Sequence, residues 1–399
     1  MTNYSEHFKL DTTSAKEYIK FLKIFGNEDE LECDEIGDGN INYIFRIKNM
    51  TTGKSVVLKQ ADKFLRSSGR TLDLNRNRIE AEILQLQSQY SPNSIPKIYH
   101  YDDVMCAIIM EDISEYKNLR LELMKGKIFP NFANEISSFL VDTLLPTTDL
   151  VLDRGEKKER VQRFINKELC DISECLVFTE PYTNDRNRNI IIDENKEYVE
   201  KYLYSDLDLH LEVGKLKNNF MNNAQALIHG DLHSGSIFIN EKGIKVIDPE
   251  FAFYGPMGYD IGNVIGNLFF ALVNRKHLML SENKDEFINW LKDTIKNIFD
   301  MFKEKFIKKY DLLVKDSIYI NPKFKNWYLN TILSDSIGMA GLEIIRRVVG
   351  DSKVLEITAI ENIEKRVVIE RELIEIPRAT NKKYRNYQRR KRFILREGK

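Results

Sequence analysis

Two kinds of hydrophobic patterning divide this chain. Up to about residue 110, short runs rich in β-branched and aromatic residues, Ile41 to Ile47 and Ser55 to Gln60, are separated by Gly37, Gly39 and the cluster Thr51-Thr52-Gly53-Lys54. Such runs predict strands joined by turns. Ser14 with Glu17 three residues on predicts a capped opening helix. From Asp73 to Tyr90, Leu74, Ile79, Ile83, Leu84 and Leu86 recur at helical spacing until Ser91-Pro92, and Val104 to Met110 reads as an apolar strand.

Beyond Lys117 helical periodicity dominates, interrupted by loops such as Thr179 to Arg188 and by one hairpin signal. In that hairpin Ile237-Phe238-Ile239 and Ile244-Lys245-Val246-Ile247 flank the turn-forming Asn240-Glu241-Lys242-Gly243. The expected fold class is therefore α+β: a small N-terminal antiparallel-sheet lobe with one main helix (1–113), and a larger, mainly helical lobe (114–377). A basic tail, 378–399, follows as a mobile extension. No internal repeat or long low-complexity linker is visible.

Composition narrows the function classes. With 399 residues, 42% hydrophobic, the chain is long enough for two cores. A formal net charge of -1 gives no global pull toward nucleic acid or membrane. The start, Met1 to His7, lacks the basic and apolar regions of a signal peptide, and no apolar run approaches the roughly 18 residues of a span, so a cytoplasmic protein is expected. Cys33, Cys106, Cys170 and Cys175 lack paired metal spacing and are expected as reduced thiols.

Chemistry concentrates in His229-Gly230-Asp231-Leu232-His233 and, 17 positions after Asp231, in Asp248-Pro249-Glu250. Phosphoryl transfer needs this set: one carboxylate, Asp231, to accept a hydroxyl proton, and two, Asp248 and Glu250, to hold magnesium. The nucleotide half is read from the N-terminal lobe. Gly37, Gly39 and Asn40 form a loop whose backbone N–H groups can approach phosphates. Lys59 lies on the third strand, where it can reach phosphate oxygens. A strand lysine is ordinarily a solvated residue, but Glu80 or Glu82 on the next helix can pair with it; two positions apart, they face different ways, and Glu80 is the choice. Glu111, Asp112 and Ile113 end the apolar strand as the linker expected to meet adenine. His229 and His233 are read as structural braces.

These segments, with Phe251-Ala252-Phe253-Tyr254-Gly255-Pro256, resemble the methylthioribose kinases, a branch of the small-molecule kinases that includes aminoglycoside and choline phosphotransferases. The resemblance covers roughly residues 5–370 and implies a bilobal protein-kinase-like fold, ATP and Mg²⁺ as cofactors, and transfer to the 1-hydroxyl of 5-methylthioribose. Where the wider superfamily places a metal-binding asparagine, five positions after the base, this chain has Ser236, and Glu250 can supply the missing oxygen. In the resembled family an arginine pair at the place of Arg346-Arg347 contacts the sugar, so these join Asp231 as substrate-binding residues. A homodimer is also implied.

Two alternatives remain on the residues. A kinase of aminoglycosides or choline would have to bring a cation toward Arg346-Arg347, which repel it. A non-catalytic nucleotide- or nucleic-acid-binding protein would have no need of Asp231. The tail sets ten Lys or Arg against Glu397 and could take phosphates, although nucleic acid is not the expected partner.

Overall fold

The computed structural model describes residues 4–36, 42–64 and 71–377, so Gly37, Gly39, Asn40 and the basic tail lie outside the described residues. The chain forms two compact units, one of residues 1–117 with 238–252, the other of residues 118–237 with 253–399. The hairpin read as part of the larger lobe thus groups with the N-terminal unit, and the division falls at Lys117 rather than at Ile113.

In the N-terminal unit, β1 (Leu31–Glu35), β2 (Asn42–Asn49), β3 (Ser55–Ala61), β4 (Ile98–Asp102) and β5 (Ala107–Glu111) build an antiparallel sheet in the order β1-β2-β3-β5-β4. Helix α1 (Thr12–Phe21) covers one face through a core of Tyr18, Ile19, Phe45, Ile47, Leu58 and Ile109. Helix α2 (Asn75–Tyr90) lies on the other, where Ala81 meets Ile108 and Met110, with Val57 packed alongside. Because side chains alternate along a strand, Lys59 faces the same side as Val57 and so points at α2. The sequence alone, Val56-Val57-Leu58-Lys59, carries no polar alternation from which this could be read.

Local chemistry departs from expectation at two places. The first helix is capped by Asp11, whose carboxylate accepts from Thr13 and Ser14 while the Ser14 hydroxyl accepts from the Asp11 N–H. Ser14 is therefore the reciprocal partner of the box rather than the cap. The strand expected from Val104 begins only at Ala107, because residues 103–106 turn, with Cys106 at φ 47°.

After the two-residue β6 (Lys117–Asn118), the helices are α3 (Leu119–Met124), α4 (Phe132–Leu144), α5 (Arg154–Arg163), α6 (Lys167–Leu176), α7 (Glu180–Thr183), α8 (Lys196–Val199) and α9 (Leu207–Asn222). Buried β7 (Ala226–Ile228) pairs antiparallel with β10 (Phe253–Gly255). Between them runs the hairpin of β8 (Ile237–Asn240) and β9 (Gly243–Val246), as the turn cluster predicts.

Long helices α10 (Met257–Leu278), α11 (Lys284–Leu313) and α12 (Pro322–Val349) follow, then the short α13 (Leu355–Thr358). Helices α10 and α12 approach closely along Gly258, Gly262 and Gly266. A Cβ on Gly262 would sit 2.6 Å from the Met339 Cβ and 2.7 Å from the Ala340 nitrogen. Among the described residues, no helix is long and apolar enough to cross a membrane.

Candidate active site

The N-terminal unit assembles a charged cluster around Lys59. Its ammonium, buried between α2 and the segment after β9, donates to Glu80 Oε1 at 2.7 Å and to Asp248 Oδ1. Glu82 instead pairs with Arg78 one turn away, at 2.9 Å. Asp248 holds a left-handed backbone, φ 62°, which Asp tolerates better than most residues and which accumulates at functional sites. Glu250 is buried against Arg76 of α2 at 3.3 Å, and Arg76 in turn donates to Asn42. Arg76 escaped the sequence reading because nothing in a helix pattern marks a residue that meets a carboxylate some 170 positions away, and Asn42, its hydrogen-bond partner, escaped with it.

Three carboxylates, Glu80, Asp248 and Glu250, thus face two cations, Lys59 and Arg76. Burial raises the Glu80 carboxyl to about 7 against the opposing pull of Lys59, and burial likewise raises Glu250. For Lys59 burial works downward, but Asp248, Glu80 and Glu250 outweigh it and keep the ammonium charged. An added cation would offset the burial that disfavours the charged forms of Glu80 and Glu250. Asp248 and Glu250 offer the hard oxygens magnesium takes, with phosphates and water to complete its octahedron. Among the described residues no group of three or more His, Cys, Asp or Glu forms a self-sufficient metal cage, so a metal here would depend on those phosphates.

At the end of β5 the linker residues are individually tied down. The Glu111 N–H donates to Lys97 O at 2.8 Å and its carboxylate accepts from Lys245 at 3.0 Å. Asp112 accepts from Ser55 and pairs with Arg46 at 3.1 Å, so it is a brace for the strand end. The Ile113 carbonyl accepts from the Tyr116 N–H.

In the C-terminal unit the loop after β7 carries Asp231. Gly230 takes φ 83°, and the buried Asp260 of α10 accepts from the N–H groups of His229 at 2.7 Å and Gly230 at 3.0 Å. Asp260 was missed by the sequence reading, although Met257-Gly258-Tyr259-Asp260 directly after Gly255-Pro256 is the available signal. Asp231 Oδ1 accepts from Arg346 Nη2 at 3.1 Å and lies 3.5 Å from Arg347 Nη2; Oδ2 lies 3.5 Å from His233 Nε2. The last turn of α12 thus brings both adjacent arginines to one carboxylate.

Burial alone would raise the Asp231 carboxyl, but His233, Arg346 and Arg347 together hold it well below the usual carboxylate range. Burial also pushes His233 down to about 4, so near neutral pH the two guanidiniums are the standing charges that keep Asp231 ionised. His233 Nδ1 accepts from the Ser236 N–H at 3.1 Å, and the Ser236 hydroxyl turns back to the Asp231 carbonyl at 3.3 Å. Ser236 is therefore engaged within its own loop.

Comparison with known proteins is consistent with this chemistry. Residues 155–276 match the APH model, the phosphotransferase enzyme family. The chain is 35% identical over 386 residues to a methylthioribose kinase of Bacillus pumilus, covering 96% of this chain and 95% of that protein. It is 37% identical over 359 residues to one of Geobacillus kaustophilus, covering 90% and 88%. Among solved structures, choline kinase from Cryptosporidium parvum shares the fold, with TM-score 0.51 and 14% identity over 94% of this chain and 97% of that one. On identity sustained over nearly the whole of both chains, this protein belongs to the methylthioribose kinases.

Proposed function

We propose that the protein transfers the γ-phosphoryl group of ATP to the 1-hydroxyl of 5-methylthioribose, giving ADP and 5-methylthioribose 1-phosphate. The observation that carries this reading is the ionised Asp231 held by Arg346 and Arg347. A base and two fork-shaped donors on one spot suit a neutral polyol that is about to become an anion. The sugar oxygen forms its bond to γ-phosphorus as the bond to the β-phosphate oxygen breaks, and the hydroxyl proton passes to an Asp231 oxygen.

Arg346 and Arg347 orient the acceptor's hydroxyls and stabilise charge as the ester forms. Lys59, steadied by Glu80, takes α- and β-phosphate oxygens. Gly37, Gly39 and Asn40 cover the phosphates, and the Glu111–Ile113 linker offers backbone groups to adenine, with Asp112 as its brace. Asp248 and Glu250 hold Mg²⁺, which supplies neutralisation of the phosphate charge. A homodimer in the cytoplasm is the setting that the family resemblance implies, checked by light scattering of the purified chain.

A kinase of choline or an aminoglycoside is the competing reading, and the paired guanidiniums oppose it because they would repel a cationic acceptor. The test is ADP release with Mg²⁺ and ATP, comparing 5-methylthioribose, ribose, choline and an aminoglycoside, with Asp231→Ala as blank. Turnover of 5-methylthioribose that vanishes in the variant is expected. Turnover of choline or the aminoglycoside in preference would remove the substrate assignment.

A further inference from the structure

One buried carboxylate has no role in the reaction as described. Glu343 lies on α12 one turn before the arginine pair, 1% exposed, with a Cβ that packs against Gly266 of α10. Its Oε2 accepts from Arg346 Nε, and its Oε1 accepts from Arg347 Nε at 3.0 Å. Helical spacing explains the fit: i+3 and i+4 lie on either side of residue i, so one carboxylate can take both neighbours. With each Nε edge committed to Glu343, the Nη2 groups of both arginines are turned to Asp231.

Glu343 is also tied to the catalytic loop. Asn267 of α10 donates its Nδ2 to Glu343 Oε1 at 3.0 Å, and its Oδ1 accepts from Ser234 Oγ at 3.1 Å and Arg120 Nη2 at 3.1 Å. A continuous set of hydrogen bonds therefore joins the arginine pair to the loop that carries Asp231. Burial works to raise the Glu343 carboxyl, but Arg346 and Arg347 outweigh it and hold the group ionised. An uncompensated carboxylate at this depth would be strongly unfavourable, and two guanidiniums crowded without it would repel.

We propose that Glu343 is a positioning residue: it orients Arg346 and Arg347 edge-on to Asp231 and, through Asn267, locks that orientation to the catalytic loop. The proposal rests on the reading that the arginine pair engages the sugar acceptor. Glu343 itself touches neither substrate nor Asp231. Its removal should therefore weaken acceptor handling and leave nucleotide handling alone. Arg346 and Arg347 would keep their charge but lose the fixed edge, as one loses bidentate geometry rather than Coulomb attraction.

The experiment compares wild type with Glu343→Gln and Glu343→Asp, the second keeping the charge while shortening its reach. For both, kcat/KM for 5-methylthioribose should fall about ten- to a hundredfold, the range of one or two charge-assisted hydrogen bonds. KM for ATP should stay within about twofold. In an Arg346→Lys background the Gln substitution should cost less than in wild type, since both act on one interaction.

A readout free of turnover separates this from the substrate reading. Arginine Nε–H resonances, assigned with Arg346→Lys and Arg347→Lys, should be protected from exchange in wild type and lose protection in Glu343→Gln. If wild type does not turn over 5-methylthioribose but the resonances behave as expected, the substrate reading fails and the positioning role stands. Equal losses in both KM values, unprotected Nε–H groups in wild type, or failure of both variants to fold would overturn the proposal, the last by making Glu343 a structural keystone.

Discussion

A carboxylate that must act as a base is useful only if it is ionised at working pH and aimed at its proton. Asp231 meets the first condition because His233, Arg346 and Arg347 together outweigh its burial. Asp231→Asn should fold and lose about a hundred- to ten-thousandfold in kcat, the ordinary worth of a general base. Steady-state ADP release measures it, and near-normal turnover would exclude Asp231 as the base. His233 makes a different prediction. Its folded value near 4 lies below the ordinary 6.5, so between the two the unfolded chain binds a proton that the folded one refuses. Stability from this group is complete above about pH 6.5 and is lost as pH falls toward about 4. The melting temperature should drop over that window, and less steeply in His233→Gln.

At the scale of elements, the α10–α12 pair is what the C-terminal unit builds around. Gly258, Gly262 and Gly266, spaced four apart, let the helices meet backbone to backbone, and this closeness seats Glu343 against Gly266. Gly262→Ala should destabilise by about 1–3 kcal/mol, because the intruding methyl meets backbone and a Cβ rather than a yielding side-chain end. Thermal unfolding checks this, and an unchanged midpoint would mean that the helices can part at little cost. The sequence displays the glycine spacing but not its partner, since any of the long helices could have supplied the opposing face. In the N-terminal unit the strand Ser55–Ala61 is legible from its β-branched run, yet the side on which Lys59 emerges is settled only by which face α2 covers.

For the whole molecule, charge is distributed unevenly. The tail, 378–399, carries ten of the 60 basic residues and one of the 61 acidic ones, so the rest of the chain is strongly acidic. Glu80, Asp248 and Glu250 gather three carboxyl groups beside Lys59 and Arg76, and the proposed transfer should stop when divalent metal is stripped by a chelator and return with added Mg²⁺. Residual turnover in metal-free protein would sink the Asp248–Glu250 assignment. Deleting 378–399 should leave kcat/KM for 5-methylthioribose within about twofold, because none of the residues assigned a part in the transfer lies in the tail. A salt-sensitive nucleic-acid gel shift that disappears with the tail would instead give it a partner.

The sequence by itself determined the fold class, the strand-rich and helix-rich parts, and the local groupings from which the site is proposed. Those follow from periodicity and from spacings within one loop or hairpin, such as Asp231 with His233, or Asp248 with Glu250. Only the tertiary structure decided which Glu meets Lys59, that Arg76 faces Glu250, that Asp260 braces His229-Gly230, and that Glu343 orients the arginine pair. Each of these gives a buried carboxylate its partner. Sequence specifies that such groups exist, but a buried charge is stable only beside its partner, and that partner is chosen by how helices and sheet pack, not by distance along the chain.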